Sequence, residues 1–158
     1  MTMPGAPASF SARPDFVAIA KWIRPNAHVL DLGCGDGSLL RHLRDARGVT
    51  GYGMEIADAK VLACVKSGVN VLQNDVESGL SGLEDGSFDY VILSQTLQAI
   101  RQTERIVNEM LRVGREGIVT FPNFGYWRPR LQVLAANMPV SKHLPYEWYD
   151  TPNIHLFT

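Results

Sequence analysis

The run VLDLGCGDG, residues 29–37, constrains the fold more than any other stretch of the chain. A short apolar strand, residues 28–32, runs into three glycines, Gly33, Gly35 and Gly37. A helical pattern over residues 38–46 follows at once, with Leu39, Leu40, Leu43 and Ala46 on one face and Gly48 as its stop. Glycines let a backbone turn tightly and approach a ligand closely. The helix start beyond them offers unpaired N–H groups. A strand, a glycine loop and a helix in this order open a nucleotide-type α/β unit.

The rest of the chain keeps the same alternation. Residues 14–23 begin with Pro14 and Asp15 and place Phe16, Ile19, Ala20 and Ile23 on one helical face. Residues 50–54 read as a glycine-interrupted strand. Residues 58–66 read as a helix capped near Asp58, with Val61, Leu62 and Val65 inward and Gly68 at its end. Strands are predicted over 69–73, 88–93 and 117–121, and helices over 103–113 and 131–137. The turn EDGS introduces the strand at 88. Five strands interleaved with helices predict an α/β fold: a doubly wound, mostly parallel, Rossmann-like sheet. Such sheets bind ligands beyond the carboxyl ends of their strands, where the strand order reverses.

Candidate binding residues therefore follow the strands. Asp31, Gly33, Cys34, Gly35 and Gly37 form the loop after the first strand. Dinucleotide folds space their glycines G-x-G-x-x-G, and here the third arrives one residue early. Asp31 would also repel a pyrophosphate, whereas it suits a ligand carrying an ammonium. S-adenosylmethionine has an ammonium, a carboxylate, an adenosine and no phosphate. The second strand ends at Glu55, followed by Ile56, and an acid there can accept from both ribose hydroxyls. After the third strand, Asp75 and Val76 are placed for an adenine amino group and a ring nitrogen. Ser94, Gln95 and Thr96 end the fourth and would line the methionine end. A lone glycine loop is often just a turn, Glu55 alone a solvated strand end, and Asp75 alone a turn former. Their succession in strand order favours a joint ligand site.

Composition narrows the class. Apolar residues make up 46%, charged residues 20%, and the net charge is −1, which gives no electrostatic case for nucleic acid or an acidic membrane surface. No run approaches the roughly 18 apolar residues needed to span a bilayer. Cys34 and Cys64 match no metal spacing, so no metal site is expected, and they read as reduced, small, buried groups of a cytoplasmic protein. Residues 1–13 read as a flexible leader and 14–158 as one domain, with 122–158 on the side of an acceptor or partner.

Over residues 14–121 the sequence resembles the class I S-adenosylmethionine-dependent methyltransferases, through VLDLGCGDG, Glu55 and DGSFDYVILSQTL. VLDLGCGDGSLLRHL, SQTLQAI, FPNFGYWRPRLQVL and LPYEWYDTPNIHL together resemble the methionine biosynthesis protein family MetW, from about Asn26 onward. That resemblance implies a bacterial cytoplasmic protein of the methionine pathway, binding S-adenosylmethionine or S-adenosylhomocysteine. It also implies association with the homoserine O-acyltransferase MetX, an α/β-hydrolase. The superfamily sheet has seven strands, so a five-strand chain is expected to lack the last two. LPYEWYDTPNIHLFT would then be an internal segment facing an acceptor or a partner.

Chemistry is less marked than binding. LSQTLQ is not the Asn/Asp-Pro-Pro-aromatic run of amino-directed nucleic-acid methylases, and no Cys-Pro dipeptide suggests a cysteine nucleophile. Acid–base candidates are His143, Tyr146, Glu147, Tyr149 and His155, each with an ordinary structural role as the rival reading. Three functions remain: an accessory protein that supports or regulates the acyltransferase, an active small-molecule methyltransferase, and a dinucleotide oxidoreductase, disfavoured by the glycine spacing.

Overall fold

The computed structural model describes residues 13–123 and 126–135. In chain order these form α1 (Pro14–Trp22), β1 (His28–Leu32), α2 (Ser38–Arg47), β2 (Thr50–Glu55), α3 (Asp58–Lys66) and β3 (Val71–Gln73), then β4 (Phe88–Ser94), α4 (Thr103–Val113), β5 (Gly114–Thr120) and α5 (Trp127–Leu134). The sheet runs β3-β2-β1-β4-β5, and all four neighbouring pairs are parallel. Single-residue alternation sends each strand's side chains into two cores. Val29, Tyr90, Ile92 and Ile118 pack with α1, α2 and Cys64 of α3. Leu30, Leu32, Val91 and Leu93 pack with α4 and the segment around Leu80. Helices thus cover both faces, and the strand order reverses between β1 and β4. That junction places the loop after β1 beside the turn after β4.

The glycine-interrupted strand β2 lies between β3 and β1, and its glycines permit unusually close contacts. A Cβ at Gly51 would lie 1.8 Å from the Val29 carbonyl oxygen, and one at Gly53 would lie 2.3 Å from Cys34 Sγ. Backbone and loop therefore approach β2 more closely than any side chain permits. Gly51→Ala is expected to cost about 3 kcal/mol or more, because a backbone carbonyl cannot yield as a side chain does. Thermal unfolding checks this, and an unchanged midpoint would contradict it.

Several boundaries differ from the sequence expectation. β5 begins at Gly114, three residues earlier than expected, since Arg115, Glu116 and Gly117 are exposed and carry no apolar signal. Gly114 pairs with Phe88, so the ladder starts before the hydrophobic run does. β3 is shorter, beginning at Val71, with Val69 buried ahead of it. α5 starts at Trp127 rather than at 131, and Pro129 falls in its first turn, where a missing N–H costs no helical bond. α3 turns Cys64 inward, while Leu62 is 52% and Val65 61% exposed. Ala57, without a side-chain cap, precedes α3, and the Asp58 carboxylate instead accepts from the Gln73 amide at 2.5 Å. Ala46 is exposed at the end of α2. Residues 1–12 of the leader and the segment LPYEWYDTPNIHLFT, with His143, Tyr146, Glu147, Tyr149 and His155, lie outside the described residues.

Candidate functional site

The loop after β1 takes its shape from three left-handed glycines, Gly33, Gly35 and Gly37, with φ of 69°, 60° and 76°. Its amides are anchored across the sheet: Gly33 N and Cys34 N both donate to the Met54 carbonyl, at 2.8 and 3.0 Å. Gly35 has no atom within 4 Å of where a Cβ would stand, so its outer side is open. Asp36, one residue ahead of the N-cap Gly37, accepts through Oδ1 from Ser38 N at 3.0 Å and from the Ser38 hydroxyl.

Glu55 is 6% exposed and holds the loop from the end of β2. Its Oε2 accepts from Gly35 N, and its Oε1 from Ile56 N and Ala57 N, all at 3.0 Å. Lys60 Nζ stands 3.8 Å from Oε2. A carboxylate offers about four lone-pair directions, so three backbone donors leave room for a further one. Beside Glu55, Ile56 is 60% exposed.

Asp31 is 2% exposed, within β1 and just ahead of the loop. Burial, reinforced by the nearby Glu55 carboxylate, pushes its carboxyl up to about 8. An acid in this state is neutral at pH 7 and would ionise beside an incoming cation. Asp75 is exposed, and its Oδ1 accepts from Glu77 N at 2.9 Å, capping the 3-10 turn Val76–Ser78. The turn reading of Asp75 thus holds in this state, and Val76 beside it is half-buried.

On the β4 side, Ser94 Oγ and Thr120 Oγ1 lie 3.1 Å apart, and Gln95 N donates to the Thr120 carbonyl. Gln95 has φ of 56°. The turn touches the glycine loop directly, since a Cβ on Gly33 would stand 2.9 Å from Thr96. The fold therefore assembles Asp31, the glycine loop, Glu55 and Ser94–Thr96 at one end of the sheet, with Asp75 and Val76 following the neighbouring edge strand. The sequence reading overlooked Gln98, which the Q-x-x-Q spacing from Gln95 marks, and the role of Cys64.

Cys34 and Cys64 lie beneath the loop with their sulfurs 3.8 Å apart, and Cys64 Sγ reaches the Gly35 carbonyl at 3.2 Å. Both are free and buried. Burial pushes both thiols above their ordinary range, and the neutral thiol is a poor nucleophile. Neither is expected to react with an aromatic disulfide reagent at pH 8 until the protein is unfolded. Rapid labelling of the native chain would show that the loop opens. Among the described residues no cluster of His, Cys, Asp and Glu is placed to hold a metal ion. No described helix is long and apolar enough to cross a membrane.

Comparison with solved structures identifies the fold. An S-adenosylmethionine-dependent methyltransferase from Archaeoglobus fulgidus superposes with a TM-score of 0.65 at 18% identity, over 81% of this chain and 61% of that one. Another from Thermotoga maritima gives 0.60 at 22% identity, over 75% and 56%. At such identities the likeness establishes the fold, and the fold is that of the class I S-adenosylmethionine-dependent methyltransferases. The family is narrower. The model of the methionine biosynthesis protein MetW matches residues 13–158, and the chain belongs to that family. A relative from Rhodopirellula baltica, "Bifunctional methionine biosynthesis protein MetXA/MetW", is 38% identical over 162 residues, which is 96% of this chain and 26% of that protein. The chain therefore spans about a quarter of that relative's length.

Proposed function

We propose that this chain binds S-adenosylmethionine or S-adenosylhomocysteine beyond β1, β2 and β4, and that it supports or regulates a MetX homoserine O-acyltransferase. The observation that carries the partner is the relative whose name joins MetXA to MetW in one polypeptide. Fusion holds two modules at high effective concentration, which favours modules that act together.

The residues fit the ligand. Gly35 leaves open space where a side chain would otherwise stand. Asp31 is a buried acid held neutral, awaiting a cation. Glu55 has one acceptor direction beyond its three backbone donors, and it would take a ribose hydroxyl there. Asp31 would face the ammonium, Ile56 and Val76 would flank the adenine with Asp75 beside its amino group, and Ser94 and Gln95 would line the amino-acid end. When bound, the cofactor supplies a sulfonium-activated methyl group. This chain's own part is to orient it and exclude water.

In the regulatory reading the ligand reports the level of a product made downstream of methionine. Adding saturating S-adenosylmethionine to a mixture of this chain and the acyltransferase is expected to change the acyl-transfer rate. Glu55→Ala should remove that response. An acyltransferase rate indifferent to the ligand, with binding demonstrated by calorimetry, would end the regulatory reading. A methylated product from small acceptors would favour the second reading, an active methyltransferase, for which the contact of the Ser94–Thr96 turn with the glycine loop is the supporting observation.

A further inference from the structure

Helix α3 buries a thiol and leaves its larger apolar residues outside. Leu62 and Val65 are 52% and 61% exposed, whereas Cys64 is the one fully buried residue of the helix. Turning Leu62 and Val65 inward would remove more apolar surface from water, so hydrophobic burial alone does not select this rotation. The place beneath the glycine loop is small, but alanine would fit a small place as well. What alanine lacks is a donor.

The Cys64 thiol has an acceptor that matters to the loop. Gly35 N donates to Glu55 Oε2 at 3.0 Å, and the Gly35 carbonyl accepts from the Cys64 thiol, with Sγ 3.2 Å from the oxygen. The amide and the carbonyl belong to successive peptide planes, so the two bonds together set both backbone torsions of Gly35. A glycine at φ 60° has no side chain to do this for it. Among the described residues the carbonyl meets thiols only, the second being Cys34 Sγ at 4.0 Å. Neighbouring glycines make room for the sulfurs. A Cβ on Gly37 would stand 3.1 Å from Cys64 Sγ, and one on Gly53 would stand 2.3 Å from Cys34 Sγ. The sulfurs lie 3.8 Å apart, so the Cys34 thiol can donate to Cys64 while Cys64 donates to the loop. Burial pushes the Cys64 thiol above its ordinary range and keeps it protonated, and a thiolate could not donate.

We propose that Cys64 is a positioning residue for the cofactor site: its S–H, acting with the Glu55 carboxylate, fixes the Gly35 backbone so that the open side of the glycine loop meets the ligand. The proposal rests on the cofactor reading and deepens it, adding a residue that touches the loop and not the ligand.

Cys64→Ala and Cys64→Ser test it, because the two replacements are nearly equal in size and only the second can donate. Calorimetry on the full chain, well below each variant's unfolding midpoint, is expected to show S-adenosylhomocysteine bound about threefold more weakly or worse by Cys64→Ala. Cys64→Ser should recover most of that loss. A residue that merely fills space predicts the opposite order, since a hydroxyl is costlier to bury than a methyl. The wild type offers a reading that needs no substitution. A thiol donating to a carbonyl has its infrared S–H stretching band at lower frequency than a free thiol, so the two cysteines should give separate bands. A single band at the free-thiol position, Cys64→Ala binding as tightly as wild type, or Cys64→Ser binding no better than Cys64→Ala overturns the role of Cys64 while the cofactor reading stands. A wild type that binds neither S-adenosylmethionine nor S-adenosylhomocysteine overturns the cofactor reading and the positioning role together.

Discussion

Replacing Glu55 by alanine is expected to weaken S-adenosylhomocysteine binding about 100-fold or more and to lower stability at the same time. The carboxylate is 6% exposed and accepts from three backbone amides, those of Gly35, Ile56 and Ala57. Alanine leaves all three donors without their acceptor. At about 1 kcal/mol each, the loss is about 3 kcal/mol, or about 6–12 °C in the midpoint for a chain of this size. The loop loses its link to β2 through Gly35, so its ligand-facing side is no longer held in place. On the proposed cofactor reading, the loss of a ribose contact removes at least one further hydrogen bond to a charged acceptor, and affinity should fall about 100-fold or more overall. Glu55→Gln separates the two effects. It keeps one oxygen and nearly the same shape, so most of the stability should return. Its amide cannot serve backbone donors on both sides and a ribose hydroxyl as well, so binding should stay at least about tenfold weaker. Thermal unfolding and calorimetry on both variants provide the check. A Glu55→Gln protein that binds S-adenosylhomocysteine as wild type does would remove Glu55 from the site.

The succession of strands along the chain and the strand ends were readable because glycines and turns mark them. Gly33 to Gly37 stop β1, the EDGS turn opens β4, and Gly48 and Gly68 close α2 and the turn after α3. The candidate residues were chosen for the same reason, since ligands of a doubly wound sheet gather where strands end. What escaped depends on contacts rather than pattern. Leu62 and Val65 have helical spacing suited to a buried face, yet the place beneath the loop is small and Cys64 fills it. The start of β5 carries Arg115 and Glu116 because its outer positions need no apolar side chain once Gly114 pairs with Phe88. That Glu55 would already hold three amides could not be read from its position, because sequence names an acceptor and not what occupies it. The same limit hid Gln98, whose buried side-chain oxygen has no partner among the described residues.

Replacing Asp31 by asparagine is expected to stabilise the free protein and weaken the ligand. Asp31 has an ordinary value of 3.8 that rises to about 8 in the fold, first through burial and then through Glu55. The sign follows from proton counting. Between these two values the folded chain holds a proton that the unfolded chain has released, so stability declines as pH rises from about 4 to about 8. This is the reverse of a salt-bridged carboxylate, which loses stability as pH falls. Asparagine does not titrate, and it carries no charge for Glu55 to repel. At pH 8 the variant should therefore be more stable by about 2 kcal/mol or more, with a midpoint raised by about 4 °C or more. Below about pH 3 the advantage should vanish, because Asp31 is then protonated in both states. Binding should run the other way. An ammonium ligand draws Asp31 into its ionised form, so wild-type affinity rises with pH up to about 8 and complex formation releases a proton. Calorimetry in buffers of different ionisation enthalpy measures that proton. Asp31→Asn should release none and should bind about tenfold more weakly. A gain in stability bought by a loss of ligand is the mark of a group retained for binding. Identical pH–stability curves for wild type and variant would show that the carboxyl at the head of the glycine loop is ionised in the free protein, and the ammonium would then meet a charge already in place.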